Sequence, residues 1–255
     1  MLGWIRKSRR VSFVIAGVQK GGTTALHENL RRHPALNMPE RKECHYFNTD
    51  AYFASPGKGV GTYHAMFPRL RRGQIRGEAT PAYLYCRAAP ARMLDYNPDL
   101  RVIVLLRDPV ARAYSHWVME SRRGLEALDF PDAIRAEAAR LRMQPEHPVY
   151  SYLDRGCYAA QLCNLWRWIP RDHTLILRSD ALLQEPKDTL ARVCQFLDIA
   201  PLRETDIIRS RVFAQSYAFS IDADTRKSMV SVLESDVREL EELLGWNCED
   251  WLQGL

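Results

Sequence analysis

Long hydrophobic runs are missing from this chain of 255 residues. No segment approaches the roughly 20 apolar residues that a membrane-spanning helix needs. Positive charge at residues 1–10 precedes an apolar run at 11–18, as in a secretory signal peptide, but that run is short and contains Ser12. We therefore expect no cleaved leader and no membrane span, and we predict a cytoplasmic protein.

Paired cysteines and metal-binding spacings are also missing. No C-x-x-C pair and no zinc-type spacing occurs among the six cysteines, which are Cys44, Cys86, Cys157, Cys163, Cys194 and Cys248. We expect reduced, mostly buried thiols and no bound metal, which agrees with a cytoplasmic protein.

A strong charge of either sign is missing as well. The formal net charge is +5 with 26% charged residues, which is too mild to indicate a nucleic-acid partner. The hydrophobic share of 46% is ordinary for a globular protein. Because no repeat, low-complexity tract or linker is visible, we predict one domain over residues 1–255.

The most informative feature that is present is a Lys-Gly-Gly-Thr-Thr turn between an apolar run and a helical pattern. Its residues are Lys20, Gly21, Gly22, Thr23 and Thr24. The first turn of a helix offers backbone N–H groups and a positive dipole end, while glycine allows close approach and lysine adds charge. The turn therefore predicts a site for a phosphate or sulfate ester. The alternative is an ordinary strand-to-helix turn with a solvated lysine.

Two common nucleotide-binding patterns are absent from this turn. The triphosphate-binding loop places its lysine after the last glycine, whereas Lys20 precedes both glycines. The G-x-G-x-x-G dinucleotide pattern is missing too. The position of the lysine argues against a P-loop-type kinase.

A second stretch also has anion-binding features. The apolar run at 101–106 predicts a buried parallel strand, and Arg107 follows it directly. Asp108 suits a helix N-cap and Pro109 suits the first helical position. Arg107 and Ser115, which lies further along this helix, can together bind one phosphate. The alternatives are a structural ion pair for Arg107 and a backbone hydrogen bond for Ser115.

Alternating strands and helices predict an α/β fold with a central parallel sheet and helices on both faces. We predict strands at 11–18, 101–106 and 174–177, and helices at 23–33, 88–96, from 109, 131–143, 156–168, 186–197 and 224–244. Such sheets bind ligands at the carboxyl ends of their strands, which is where both motifs lie.

Together the two motifs resemble those of the sulfotransferases that use 3′-phosphoadenosine 5′-phosphosulfate (PAPS). The similarity is closest to the branch that contains the heparan sulfate sulfotransferases and bacterial relatives. It implies the P-loop-like sulfotransferase fold. It also implies that Lys20 and residues 21–24 hold the 5′-phosphosulfate, and that Arg107 and Ser115 hold the 3′-phosphate.

Shorter segments resemble the same branch. Glu43 and His45 match its Glu-x-His segment, whose glutamate is the usual candidate for the catalytic base, and we rank His45 second. For Glu43, the alternative is a surface salt bridge with Arg41 or Lys42. Glu78 begins a Glu-x-Thr-Pro-x-Tyr segment of the kind found in the family.

The C-terminal region departs from the family pattern. Tyr158 lies in an Arg-x-x-Tyr helix start that resembles the family's. However, the basic glycine-containing loop that closes over the nucleotide in the heparan-modifying enzymes has no match. Arg211, Arg226 or Lys227 remain candidates for the missing charge, and Arg226 joins the predicted cofactor-binding set.

The resemblance implies transfer of a sulfuryl group from PAPS to a hydroxyl or amine of a small-molecule or carbohydrate acceptor, with adenosine 3′,5′-bisphosphate (PAP) as product. Lys20 would stabilise the leaving phosphate, and no metal is required. The alternatives are a kinase and a non-catalytic binding module. The aromatic residues within 50–75 predict either a segment that lines an acceptor cleft or an ordinary surface loop. They are Tyr52, Phe53, Tyr63 and Phe67. The sequence leaves the acceptor and the oligomeric state open.

Overall fold

Five parallel strands form the central sheet in a computed structural model that describes residues 10–55, 57, 59–208 and 221–253. The strands are β1 (Val11–Gly17), β2 (Leu36–Asn37), β3 (Ile75–Ala79), β4 (Arg101–Leu106) and β5 (Thr174–Arg178). They lie in the order β2-β3-β1-β4-β5, and every neighbouring pair is parallel. The predicted parallel α/β sheet is therefore confirmed.

All seven predicted helices are present among the described residues, together with three shorter ones. They are α1 (Thr23–Leu30), α2 (Val60–Ala65), α3 (Ala89–Tyr96), α4 (Pro109–Arg122), α5 (Phe130–Met143), α6 (Tyr158–Trp166), α7 (Ser179–Gln184), α8 (Pro186–Phe196), α9 (Ala223–Leu244) and α10 (Glu249–Leu252). Two predicted helices are too long. The helix predicted at 23–33 ends at Leu30, and the one predicted at 156–168 begins at Tyr158 after a 3₁₀ turn at Asp154–Gly156.

The chain divides into two compact units, each made of two separated stretches. The first unit draws on Met1–Leu106 and Asn164–Ala214, and the second on Arg107–Cys163 and Gln215–Leu255. The whole sheet belongs to the first unit. One domain over residues 1–255 remains a prediction.

The sheet of the first unit is buried on both faces at its centre. Phe13 and Ile15 of β1 belong to a hydrophobic cluster with residues of α1 and α8. The intervening residues Val14 and Ala16, whose side chains point to the opposite face, are also fully buried. Burial on both faces explains why β1 and β4 are continuous apolar runs rather than alternating patterns.

The second unit is built on α4 and α9. Asp108 caps α4, because its Oδ1 accepts hydrogen bonds from the backbone N–H groups of Val110 and Ala111 at 2.8 and 3.3 Å. Pro109 occupies the first turn, so the predicted cap and helix start are confirmed. The apolar stripe of α9 is buried at Met229, Leu233, Val237 and Leu240.

Glycine is required at one position of β3. Gly77 pairs with Phe13 of β1, and a Cβ at Gly77 would overlap the buried Phe13 ring. We expect Gly77→Ala to lower the free energy of unfolding by about 1–3 kcal/mol, the usual cost of overpacking a core. In Gly61→Ala, an exposed helical position with open space, we expect an increase of about 0.4–1 kcal/mol. Denaturant unfolding measures both, and equal midpoints for the two variants would contradict this explanation.

Candidate active site

The turn after β1 is held in a conformation that its glycines permit. Lys20 and Gly22 both have left-handed backbones, with φ of 68° and 88°. A Cβ at Gly21 would lie 2.7 Å from the carbonyl oxygen of Leu105 and 2.7 Å from Val18 Cγ2. The backbone N–H of Gly21 instead donates to the carbonyl of Val18 at 2.9 Å. Glycine at this position therefore lets the turn pack directly against the end of β4.

The turn leads into an uncapped helix N-terminus. Gly22 is the N-cap of α1, and it has no side chain to accept hydrogen bonds from the first-turn amides. Such amides are donors for an anion, and the helix dipole favours negative charge there. Lys20 immediately precedes this end. The structure therefore brings residues 20–24 together as the sequence predicted, and their chemistry fits a phosphosulfate group.

Lys42 is a functional candidate that sequence reasoning missed. Its Nζ donates to Thr24 Oγ1 at 2.8 Å and to Thr23 Oγ1 at 3.3 Å. The side chain is only 14% exposed. Burial lowers the pKa of Lys42, and the nearby charge of Lys20 lowers it further, while Glu43 acts in the opposite direction. No local sequence pattern connects Lys42 with residues 23 and 24, since the contact depends on the tertiary fold.

Glu43 and His45 form a pair next to this turn. Glu43 Oε2 lies 3.4 Å from His45 Nε2, and the two side chains are 48% and 46% exposed. The backbone N–H of Glu43 donates to the carbonyl of Ala79 at 2.9 Å, which places it at the carboxyl end of β3. Because β3 neighbours β1, the pair and the turn lie at the same edge of the sheet. Glu43 Oε1 also lies 3.9 Å from Lys42 Nζ, so the salt bridge with Lys42 that the sequence offered as an alternative is present.

The buried carboxylate of Glu78 lies beneath this segment. It accepts hydrogen bonds from Tyr83 OH at 2.6 Å, Thr80 Oγ1 at 2.7 Å and Tyr63 OH at 3.1 Å. Burial raises the pKa of Glu78, and the three hydroxyl donors oppose that rise. Three donors satisfy a carboxylate that would otherwise be costly to bury.

The same hydroxyl groups hold the segment that carries the Glu43–His45 pair. Thr80 Oγ1 accepts from the backbone N–H of His45 at 3.4 Å, and Tyr83 OH accepts from that of Tyr46 at 3.0 Å. The Glu78 network therefore connects the end of β3 to the candidate base. The sequence identified the Glu78 segment by resemblance and did not predict this function.

The aromatic residues near the site are mostly packing residues. Tyr63 is fully buried and stacks on Tyr46 with ring centroids 4.3 Å apart, and Phe67 is also buried. An acceptor cleft lined by Tyr63 and Phe67 is therefore wrong, because their rings are enclosed within the first unit. Tyr52 and Phe53 are half-buried.

Four predicted site residues lie in the second unit. Tyr158 OH donates to the carbonyl of Arg107 at 2.8 Å, and Ser115 is buried in α4. Burial raises the pKa of Tyr158, so its hydroxyl is a donor at neutral pH. Arg226, in the first turns of α9, donates from Nη2 to the carbonyl of Gln253 at 2.8 Å. Of the two other cations considered, Lys227 is exposed and Arg211 lies outside the described residues.

The contact between Glu43 and His45 leads to a testable prediction about the pKa of His45. The hydrogen bond to Glu43 raises the pKa of His45, and burial acts against it. Any stabilisation by this pair is therefore present below the ordinary histidine pKa and is lost as the pH rises through the folded-state value. In Glu43→Gln we expect the His45 pKa, measured by NMR titration, to fall. An unchanged His45 pKa in this variant would contradict the pairing. The control is Glu40→Gln, at an exposed position, which should leave the His45 pKa unchanged.

Comparison with known proteins identifies the family. A family model described as "Sulfotransferase domain" matches residues 11–231. The chain belongs to the sulfotransferase family.

Its relatives include mouse heparan sulfate glucosamine 3-O-sulfotransferase 6, which is 35% identical over 188 residues, or 73% of this chain and 52% of the relative. Mouse heparan sulfate glucosamine 3-O-sulfotransferase 3B1 is 34% identical over 190 residues, or 73% of this chain and 45% of the relative. The chain thus spans about half the length of the curated relatives it matches.

Solved structures confirm the sulfotransferase fold. A sulfotransferase from Alicyclobacillus acidocaldarius superposes with a TM-score of 0.81 at 27% identity, covering 96% of this chain and 99% of that one. The sulfotransferase domain from the curacin biosynthetic pathway shares the fold, with a TM-score of 0.58 at 14% identity and coverage of 93% and 98%. The predicted P-loop-like sulfotransferase fold is therefore confirmed.

Two further observations concern the described residues. No helix among them is both long and apolar enough to cross a bilayer. All six cysteines fall within the described ranges, and no disulfide joins any two of them. Cys44, Cys194 and Cys248 are buried and the other three are partly exposed, so the expectation of mostly buried thiols is met for half of them.

Proposed function

We propose that this sulfotransferase transfers a sulfuryl group from PAPS to a hydroxyl or amine of a small-molecule or carbohydrate acceptor and releases PAP. One observation carries the proposal. The uncapped N-terminus of α1, preceded by Lys20, lies at the same sheet edge as the Glu43–His45 pair. The reaction needs hydrogen-bond donors that bind the anionic leaving phosphate. It also needs a base that accepts the proton of the acceptor. The relatives' names specify a glucosamine 3-O position, so a sugar hydroxyl is the first acceptor to test.

In the proposed reaction, an acceptor oxygen attacks the sulfur while the bond from sulfur to the 5′-phosphate oxygen breaks. Lys20 and the amides of residues 21–24 stabilise the negative charge that develops on the leaving phosphate. Glu43 accepts the proton of the acceptor hydroxyl, and His45 is the second choice for this role. The proposed step requires no metal, because the protein's own donors hold the transferred group.

The resemblance assigns the 3′-phosphate to Arg107 and Ser115. Tyr158 supports Arg107 through the hydrogen bond to its carbonyl oxygen. Arg226 remains the proposed cation of the C-terminal region. We also propose that residues 1–255 form one sulfotransferase domain and that it acts in the cytoplasm, where thiols without disulfides stay reduced.

The role of Arg107 predicts a loss of nucleotide affinity. Arg107→Ala should weaken PAP binding by about 1.5–3 kcal/mol, the usual value of a charged hydrogen bond. Isothermal titration calorimetry with PAP measures this change directly. Arg142→Ala, which removes a charge from an exposed position in the same unit, is the matched control. Equal PAP affinity in the Arg107 variant and the wild type would contradict the assignment.

A turnover assay tests the proposed function. The purified protein is incubated with PAPS and a panel of glucosamine-containing glycans, phenols and amines, and PAP release is followed together with acceptor sulfation. We expect acceptor-dependent PAP release. PAP binding without turnover on any acceptor would favour a binding module. Hydrolysis or transfer with ATP in place of PAPS would favour a kinase and overturn the proposal.

A further inference from the structure

A second lysine lies at the anion-binding turn, and it contacts residues of the turn itself. The ammonium of Lys42 donates to the hydroxyl oxygens of both Thr23 and Thr24. Thr23 is 3% exposed and Lys42 is 14% exposed. A charged side chain is costly to bury, so its position over two hydroxyls at a helix N-terminus needs an explanation.

The direction of these hydrogen bonds sets what the threonines can do. An ammonium has three donors and no acceptor, whereas a hydroxyl has one donor and two acceptor lone pairs. Each threonine oxygen that accepts from Lys42 keeps its own hydrogen for another acceptor. Next to the first-turn amides and Lys20, the acceptor of suitable charge is an anion. The arrangement therefore turns two neutral hydroxyls into oriented donors.

We propose that Lys42 is a positioning residue of the donor site, which orients the hydroxyls of Thr23 and Thr24 toward the 5′-phosphosulfate and adds a second positive charge beside Lys20. This inference rests on the proposed function, because it assumes that the turn holds the 5′ end of PAPS. The Lys42 ammonium contacts Thr23 and Thr24 of the turn that begins with Lys20, so it lies at the helix N-terminus where the anion is proposed to bind.

The segment that carries Lys42 supports this role. Glu43, the proposed base, is the next residue, and its carboxylate lies 3.9 Å from Lys42 Nζ. His27 of α1 contacts the same segment, because its Nε2 lies 3.2 Å from the carbonyl oxygen of Pro39. Lys42 therefore connects the anion-binding turn to the base, and its loss should affect both donor affinity and the rate of transfer.

The test compares Lys42→Met with Arg41→Met by calorimetric titration of PAP. Both variants lose one positive charge from the same segment, but the Arg41 side chain is exposed. We expect Lys42→Met to weaken PAP binding at least tenfold and Arg41→Met to change it less than twofold. Lys42→Arg, which keeps the charge, should recover part of the affinity.

A double-mutant cycle separates positioning from a general structural effect. Thr24→Val should weaken PAP binding in the wild type but change it much less in Lys42→Met, since the two groups act through one hydrogen bond. Should Lys42→Met fail to fold, Lys42→Ala takes its place in the cycle, with the same loss of affinity and the same non-additivity expected. Wild-type affinity in Lys42→Met, or fully additive effects in the cycle, would overturn the role of Lys42. Failure of the wild-type protein to bind PAP would instead overturn the proposed function.

Discussion

Lys20→Ala is expected to reduce the rate of sulfuryl transfer about 100- to 1,000-fold, the usual loss when one preorganised donor to a developing negative charge is removed. Lys20 lies in the turn between β1 and the uncapped end of α1. Alanine has the same backbone restriction as lysine at a φ of 68°, so the substitution adds no strain at this position. The effect should therefore fall on catalysis and not on folding.

Steady-state kinetics with saturating acceptor measure the loss, and thermal unfolding checks the fold. Arg41→Ala, which removes a nearby exposed charge, should keep close to the wild-type rate. A Lys20→Ala variant with a normal rate and a normal melting temperature would show that another group stabilises the leaving phosphate.

Glu43→Gln is expected to reduce kcat by about 10²–10⁴-fold, the range that a general base contributes. Glutamine keeps the size of the side chain and can still hydrogen bond with His45, but it cannot accept a proton at neutral pH. The carboxylate is half-exposed and lies beside Lys42, so it is accessible to an acceptor. The loss should appear mainly in kcat, because the variant keeps the groups that bind PAPS.

Glu40→Gln provides the matched control for this experiment, since Glu40 is an exposed carboxylate of the same segment. It should retain the wild-type rate and pH profile. If Glu43→Gln remains active and His45→Gln does not, His45 is the base and the order of the two candidates is reversed.

The strands that the sequence predicted are those with continuous apolar runs. β1 and β4 are such runs because they are buried on both faces. β5 lies at the edge of the sheet and is only partly buried, and its run at 174–177 is still apolar enough to be predicted. β3 was not predicted, since its five residues include Arg76, Gly77 and Glu78, which interrupt any apolar pattern. Gly77 leaves room for Phe13, and the carboxylate of Glu78 is satisfied by hydrogen bonds from hydroxyl groups, one of which belongs to the distant Tyr63.

Local signals also explain which parts of the site were predictable. The turn at residues 20–24 and the cap of α4 by Asp108 depend on neighbouring residues, so their spacing alone indicated them. The contact of Lys42 with Thr24 joins residues 18 apart in the chain. The role of Glu78 depends on Tyr63, a residue 15 positions away in a different element. Neither interaction has a local sequence signal.

The most direct test of the central claim is a crystal structure of the protein with PAP. We predict that the 5′-phosphate contacts the backbone N–H groups of residues 21–24 and the Lys20 ammonium, with Arg107 and Ser115 on the 3′-phosphate. A 5′-phosphate bound away from the turn after β1, with the nucleotide fully occupied, would contradict the account.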